Sequence, residues 1–168
     1  MRIRTLVFTL ACVVALPVIC HAQDEESSKA IELKACGSGS EVDFSHKTDK
    51  GDHTMGVQSP DKALIYIIRD TMLGNAIQTK LAVDGQWVGV NKGNNYFFIS
   101  VTPGTHYFCS RAENHSAIEL TVEAGKTYYL HQEVEMGIMK ARTKLEVMDA
   151  DKALKKLPKL NLSMWETK

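Results

Sequence analysis

The sequence predicts an all-β protein, an antiparallel β-sandwich of about seven or eight strands with a short C-terminal helix. Three observations predict it. Short apolar or alternating runs recur from Val42 to Met148, separated by Gly, Pro, Asn and Asp. Asp84-Gly85 sits between Leu81-Ala82-Val83 and Trp87-Val88, where a tight hairpin needs positive φ. Finally, Thr127–Glu135 and Arg142–Met148 pair in one antiparallel register that sorts their side chains by polarity.

Taken in order, Val42 and Phe44 alternate with Glu41, Asp43 and Ser45 as a short half-buried strand does, and 47–60 is a polar loop. Ala63–Ile68 has no polar face, so it suits a strand buried on both sides at the centre of its sheet. Gln78–Val83 and Gln86–Val90 form the Asp84-Gly85 hairpin. Tyr96–Val101 and Thr105–Ser110 flank Pro103-Gly104 as a second hairpin. Ala117–Val122 alternates cleanly, and Ala124-Gly125 turns the chain again.

The last hairpin places Leu130 opposite Val147, Gln132 opposite Leu145 and Val134 opposite Thr143 on the inner face. His131 then opposes Glu146, Glu133 opposes Lys144 and Glu135 opposes Arg142 on the outer face. Asp149 or Asp151 caps a helix over Lys152–Leu157, which Pro158 stops. The tail, 159–168, alternates at Leu160, Leu162 and Met164, as an edge strand or a free end would.

The N-terminus belongs to a different class. Arg2 and Arg4 precede an apolar run from Leu6 to Ile19 that ends at Cys20-His21-Ala22, the pattern of a signal peptide cleaved after Ala22. Residues 23–35 are acidic and short of aromatics, the composition of a flexible leader. The domain is then expected over 36–158. Cleavage leaves Cys36 and Cys109, one even pair in an oxidising compartment, and predicts a disulfide between them. It also leaves 18 basic and 20 acidic residues, a formal charge of −2. A mildly acidic chain without an Arg-aromatic stripe is a poor match for nucleic acid.

No G-x-S-x-G, H-E-x-x-H, P-loop or dinucleotide fingerprint occurs, so no catalytic residue and no cofactor is assigned. His131, Glu133 and Glu135 lie on one strand face and are the candidate metal ligands, although cross-strand charge pairing explains them as well. The apolar loop residues Met136, Ile138 and Met139 are the candidate partner contacts. Adjacent aromatics such as Tyr107-Phe108 and Tyr128-Tyr129 point to opposite sheet faces, leaving an aromatic surface for a glycan or for cover by the fold. Asn114-His115-Ser116 and Asn161-Leu162-Ser163 fit glycosylation sequons.

The runs KALIYIIRD, VDGQWVG, YFFISV, PGTHYFCS and VEAGKTYYL, in that order, resemble the domain of unknown function 2846, a set of small exported bacterial proteins. The pairing of the Asp-Gly hairpin with Pro-Gly-x-His is also similar to PEGA-like β-sandwich modules. The resemblance spans about Cys36 to Asp151 and implies an extracytoplasmic β-sandwich, often lipid-anchored, with no catalytic residues. The lipobox is missing, because Ile19 precedes Cys20 where a small residue belongs.

The expectation is therefore an exported, non-enzymatic module, periplasmic or secreted, binding an envelope protein or glycan through loops at 69–77, 92–95 and 136–141. Membrane association is expected only on lipidation. The alternatives are a small metal-dependent hydrolase built on His131, and an assembly or inhibitor subunit that exchanges the strand Leu160–Met164.

Overall fold

The computed structural model describes residues 19–39, 42–51, 53–136 and 141–168. In chain order they form α1 (Ile19–Cys36), β1 (Phe44–Asp49), β2 (Ala63–Arg69), β3 (Thr79–Val83), β4 (Gln86–Asn91), β5 (Asn95–Val101) and β6 (Gly104–Arg111). After these come β7 (His115–Val122), β8 (Thr127–Met136), β9 (Ala141–Val147), α2 (Ala150–Lys156), a 3-10 turn (Leu157–Lys159) and β10 (Asn161–Thr167). The strands make one sheet in the order β1-β10-β5-β2-β8-β9 and another in the order β4-β3-β6-β7. They pack as a β-sandwich, and each helix covers one outer face.

The all-apolar β2 shows why the layers exist. Ala63, Ile65 and Ile67 enter the core between the sheets with Leu81, Phe97, Phe108 and Leu130. Leu64, Tyr66 and Ile68 point the other way, into a second core with Tyr96, Tyr129, Ala153 and Leu157 under α2. All seven residues of the strand are buried. A two-sided apolar strand requires cover on both sides, and α2 supplies the second.

The β8–β9 register is the expected one, with Leu130 opposite Val147, His131 opposite Glu146 and Glu135 opposite Arg142. Two details of its faces differ. Val147 is 56% exposed, and His131 is only 8% exposed, held between Asp70 and Glu146. Asp84 (φ 50°) and Gly85 (φ 79°) make a two-residue loop between Val83 and Gln86, both in the left-handed region. Asp149 caps α2 by accepting from the Lys152 amide.

The structure corrects four other expectations. Among the described residues the sandwich has ten strands and is mixed, since β2 pairs with β8 and β5 with β10 in parallel. Pro103-Gly104 joins no hairpin: β5 pairs with β2 and β10, and β6 with β3 and β7, so the turn carries the chain from one sheet to the other. A local turn motif cannot specify which neighbour each strand takes. The C-terminal tail is not an edge but β10, placed between β1, which it pairs from Leu162 to Thr167, and β5, which it pairs at Asn161 and Leu162. In this fold the strand proposed for exchange pairs within its own chain, along β1 and at Asn161 and Leu162 with β5.

The fourth correction concerns the leader, which is helix α1. Its order comes from tertiary contacts rather than composition. Cys36 is bonded to Cys109 on the outer face of the four-stranded sheet, with Cα atoms 5.1 Å apart. Gly37, at φ 71°, ends the helix, and its N–H donates to the Leu33 carbonyl at 3.0 Å. Gly85 N–H donates to the Ala35 carbonyl at 3.1 Å, and a Cβ on Gly37 would stand 2.8 Å from the Gly85 oxygen. His115 with Glu32 at 2.9 Å and Lys34 with the Tyr107 hydroxyl at 3.1 Å complete the attachment.

Candidate functional site at the loop end of the sandwich

At one end of the sandwich the loops after β2 and before β5 meet the β8–β9 hairpin. Asn94 N–H donates to the Thr71 carbonyl, and Asn161 N–H to the Asn94 carbonyl. Gly93 lies so close to Asn75 that a Cβ there would stand 2.9 Å from the Asn75 Cβ. Gly74 faces Val134 of β8 in the same way, at 3.5 Å. Two of the loops expected to meet a partner are therefore in contact, while residues 137–140 of the third lie outside the described residues. Of its predicted contacts, Ile138 and Met139 lie outside the described residues, as does the side chain of Met136.

Arg69, the last residue of β2, fixes this end. It is fully buried, and its guanidinium donates to the carbonyls of Ile77 at 2.7 Å, Leu73 at 3.0 Å and Gly74 at 2.7 Å. Burial pulls its pKa down to about 10, leaving it charged at neutral pH. Arg69 is thus no surface contact but the clamp of the loop behind it, which presents Met72 (55% exposed) and Leu73 (48%). A polar spine continues inward from it. Thr79 Oγ1 and Asn91 Nδ2 both donate to Gln132 Oε1, Gln132 Nε2 donates to Ser110 Oγ, and Ser110 Oγ meets Thr143 Oγ1 at 2.8 Å.

Outside the spine lies a charged group. His131 Nε2 is 2.6 Å from Asp70 Oδ1, and Asp70 Oδ2 also accepts from Lys156 of α2. Burial pushes the Asp70 carboxyl up, but the hydrogen bonds from Lys156 and His131 outweigh it and hold the group below the usual range. An ionised carboxylate only accepts, so Nε2 carries the proton. His131 Nδ1 faces Glu146 Oε1 at 3.5 Å, and Lys144 holds Glu146 Oε2 at 2.8 Å. Lys144 and then His131 depress the Glu146 carboxyl.

The predicted metal triad is only partly assembled. His131 and Glu133 come together, but Glu146 takes the place of Glu135, with ligand atoms within 4.8 Å of one another. Glu135 lies one side-chain repeat nearer the hairpin tip and is exposed, whereas Glu146 is the direct cross-strand neighbour of His131. Glu32, Cys36 and His115 also converge, but Cys36 is committed to the disulfide. A cleft of about 280 Å³ beside the cluster is lined by Asp70, Asn94, Lys156, Lys159 and Leu160. One carboxylate, two ammonium groups and an amide make this lining strongly polar.

Other candidates have structural partners. Asn114 of the first sequon bonds β9 through Thr143, with its Nδ2 3.0 Å from the carbonyl and its Oδ1 2.7 Å from the amide. The aromatic faces are largely covered. Tyr66, Tyr96, Phe98 and Tyr129 lie in the layer under α2, while Trp87 and Tyr107 pack beside Ala35 and Cys36 of α1. Sequence reasoning missed Arg69 and Asp70, because an Arg-Asp pair at the end of an apolar run reads as an ordinary polar strand end.

Comparison with known proteins gives a relative and a family. The chain is 26% identical over 110 residues to an uncharacterized protein of Haemophilus influenzae strain Rd. The match takes in 64% of this chain and 66% of the relative, so the chain spans just under two thirds of that protein's length. No solved structure matches. Neither comparison names a PEGA-like module. Residues 59–144, which run from just before β2 into β9, match the family described as protein of unknown function (DUF2846), and the chain belongs to that family.

Proposed function

We propose that the protein is an exported, non-enzymatic binding module that presents its loop end to a protein or glycan of the cell envelope. The clamp of Arg69 on the Leu73, Gly74 and Ile77 carbonyls carries the reading. A fully buried cation spent on holding a surface loop keeps Met72 and Leu73 exposed in one arrangement, and pre-organised apolar residues on a rigid scaffold lower the ordering cost of binding. Export is supported by the apolar run Leu6–Ile19 and by a disulfide of the kind that persists in oxidising compartments.

The experiment is a photo-cross-linking amino acid at Met72 in cells, with intact mass to define the N-terminus. A recurrent envelope partner, lost when Leu73 is changed to Ser, and a chain beginning at Gln23 are expected. Absence of any recurrent adduct overturns the binding reading, and a cytosolic chain beginning at Met1 overturns export. A second reading rests on His131, Glu133 and Glu146. His131 Nδ1 faces Glu146 with Glu133 beside it, one nitrogen and two carboxylates of the kind that hold a divalent cation. Stoichiometric metal after gentle purification, lost in Glu146→Gln, would favour it.

A further inference from the structure

Between β1 and β2 the segment 53–59 forms a strap over the outer face of the six-stranded sheet. Tyr96 donates its hydroxyl to the Thr54 carbonyl at 2.8 Å, and the Tyr66 hydroxyl accepts from Gly56 N–H at 2.8 Å. A Cβ on Gly56 would stand 2.8 Å from Leu64 and Phe98 side-chain carbons, so the strap lies tight on the sheet. His53 fixes its start through the Leu160 carbonyl at 2.9 Å. An apolar groove of about 380 Å³ separates this strap from α2, lined by His53, Met55, Leu154, Leu157 and Pro158.

The walls of the groove are themselves half in water. Leu154 is 51% exposed, Met55 46%, and Val57 further along the strap 86%. A site for an enclosed ligand buries most of that ligand among covered side chains. Here the apolar side chains project outward from fixed backbone, which suits entry into another apolar phase. Around them, the sequence Lys152-Ala153-Leu154-Lys155-Lys156-Leu157-Pro158-Lys159 supplies cations. Lys156 is committed to Asp70, whereas Lys152, Lys155 and Lys159 are exposed. The acidic groups on the same element are Asp149, which caps the helix, and Asp151 in its first turn. Exposed apolar side chains with exposed lysines on the same helix and turn are complementary to an interface of acyl chains under anionic headgroups. Among the described residues no helix is long and apolar enough to cross a membrane, so contact with the bilayer surface is what this face offers.

We infer that the groove between the 53–59 strap and α2 docks on an anionic lipid bilayer, with Met55 and Leu154 entering the interface and Lys152, Lys155 and Lys159 meeting lipid phosphates. The docking needs no lipid modification of the chain.

The test uses vesicles of phosphatidylglycerol and phosphatidylcholine in equal parts, with pure phosphatidylcholine as the control and brominated acyl chains as quencher. Leu154→Trp is compared with Glu119→Trp on the exposed far face of β7; the native Trp87 and Trp165 give the same background in both. The comparison reports which face meets the bilayer even if the N-terminus tethers the chain. Quenching confined to Leu154→Trp on the anionic vesicles is expected. Lys155→Glu with Lys159→Glu should weaken partitioning at low salt by roughly twenty-fold or more. Both substitutions are on the surface, and thermal melting confirms that the variants fold. Equal quenching at the two positions, quenching at neither, or equal quenching on neutral vesicles overturns the inference. So does quenching by a brominated free fatty acid without vesicles, which would assign the groove to an enclosed ligand.

Discussion

Asn114, just before β7, pairs with Thr143 of β9 as a neighbouring strand would, offering an amide donor to the carbonyl and an amide oxygen to the N–H. Ser116 extends the seam by accepting from Leu145 N–H at 2.9 Å. On the opposite side Ser163 of β10 donates to the Val90 carbonyl of β4 at 2.6 Å. Side chains thus close both seams of the sandwich where backbone ladders stop. An edge strand with unpaired amides is a template for association, and these caps blunt it.

Asn114→Ala should therefore cost about 1–2 kcal/mol of stability, since it leaves two part-buried backbone groups of β9 unpaired. It should also raise self-association. Chemical denaturation and light scattering check both, and an unchanged, monodisperse variant would show that water replaces the cap without loss.

Arg69→Met removes the clamp but keeps most of the volume. Three carbonyls lose their charged donor, and a cost of about 3 kcal/mol or more is expected. Hydrogen exchange should accelerate first at 71–77, before the rest of the sandwich. Uniform acceleration across both sheets would instead make Arg69 a general core residue.

Removing the disulfide by Cys36→Ser with Cys109→Ser should destabilise by about 4 kcal/mol in the chain-entropy model. Because α1 is attached near its C-terminus, through Ala35, Cys36 and Gly37 and a few polar contacts, its amides should lose protection while β2 and β8 keep theirs. Proteolysis within 25–34 of the reduced protein checks this directly, and persistent resistance there would contradict it.

His46 gives the fold an acid limit. Burial first, and then the charges of Lys92 and Arg69, lower its pKa from 6.5 to about 4. Between those values the unfolded chain binds the extra proton and the folded one does not, so stability falls as pH drops from about 6.5 to 4. The loss is on the order of 1–2 kcal/mol, about half of the full linkage, because the ring keeps part of its surface in water. His46→Gln should flatten that part of the stability profile.

His106 works in the opposite sense. Burial lowers its pKa, but Asp84 and the Thr102 carbonyl more than offset this, and the net shift is upward. Its contribution is full at pH below the unfolded value and is lost as pH rises through the folded one. His106→Gln should cost more at acid pH than at alkaline pH in paired melts.

The local parts of this fold were legible in the sequence. The Asp84-Gly85 turn, the two-sided burial of Ala63–Ile68, the Asp149 cap and the whole β8–β9 register follow from φ preference, periodicity and charge pairing among residues close in the chain. What only the tertiary structure decided are relations between distant segments. Pro103-Gly104 announces a turn but not a change of sheet, and the leader's composition says nothing of the sulfur and the glycine that hold it as α1. Likewise Asp70, just after β2, reaches the His131 ring because strand order places β2 beside β8, which no spacing in the sequence reveals.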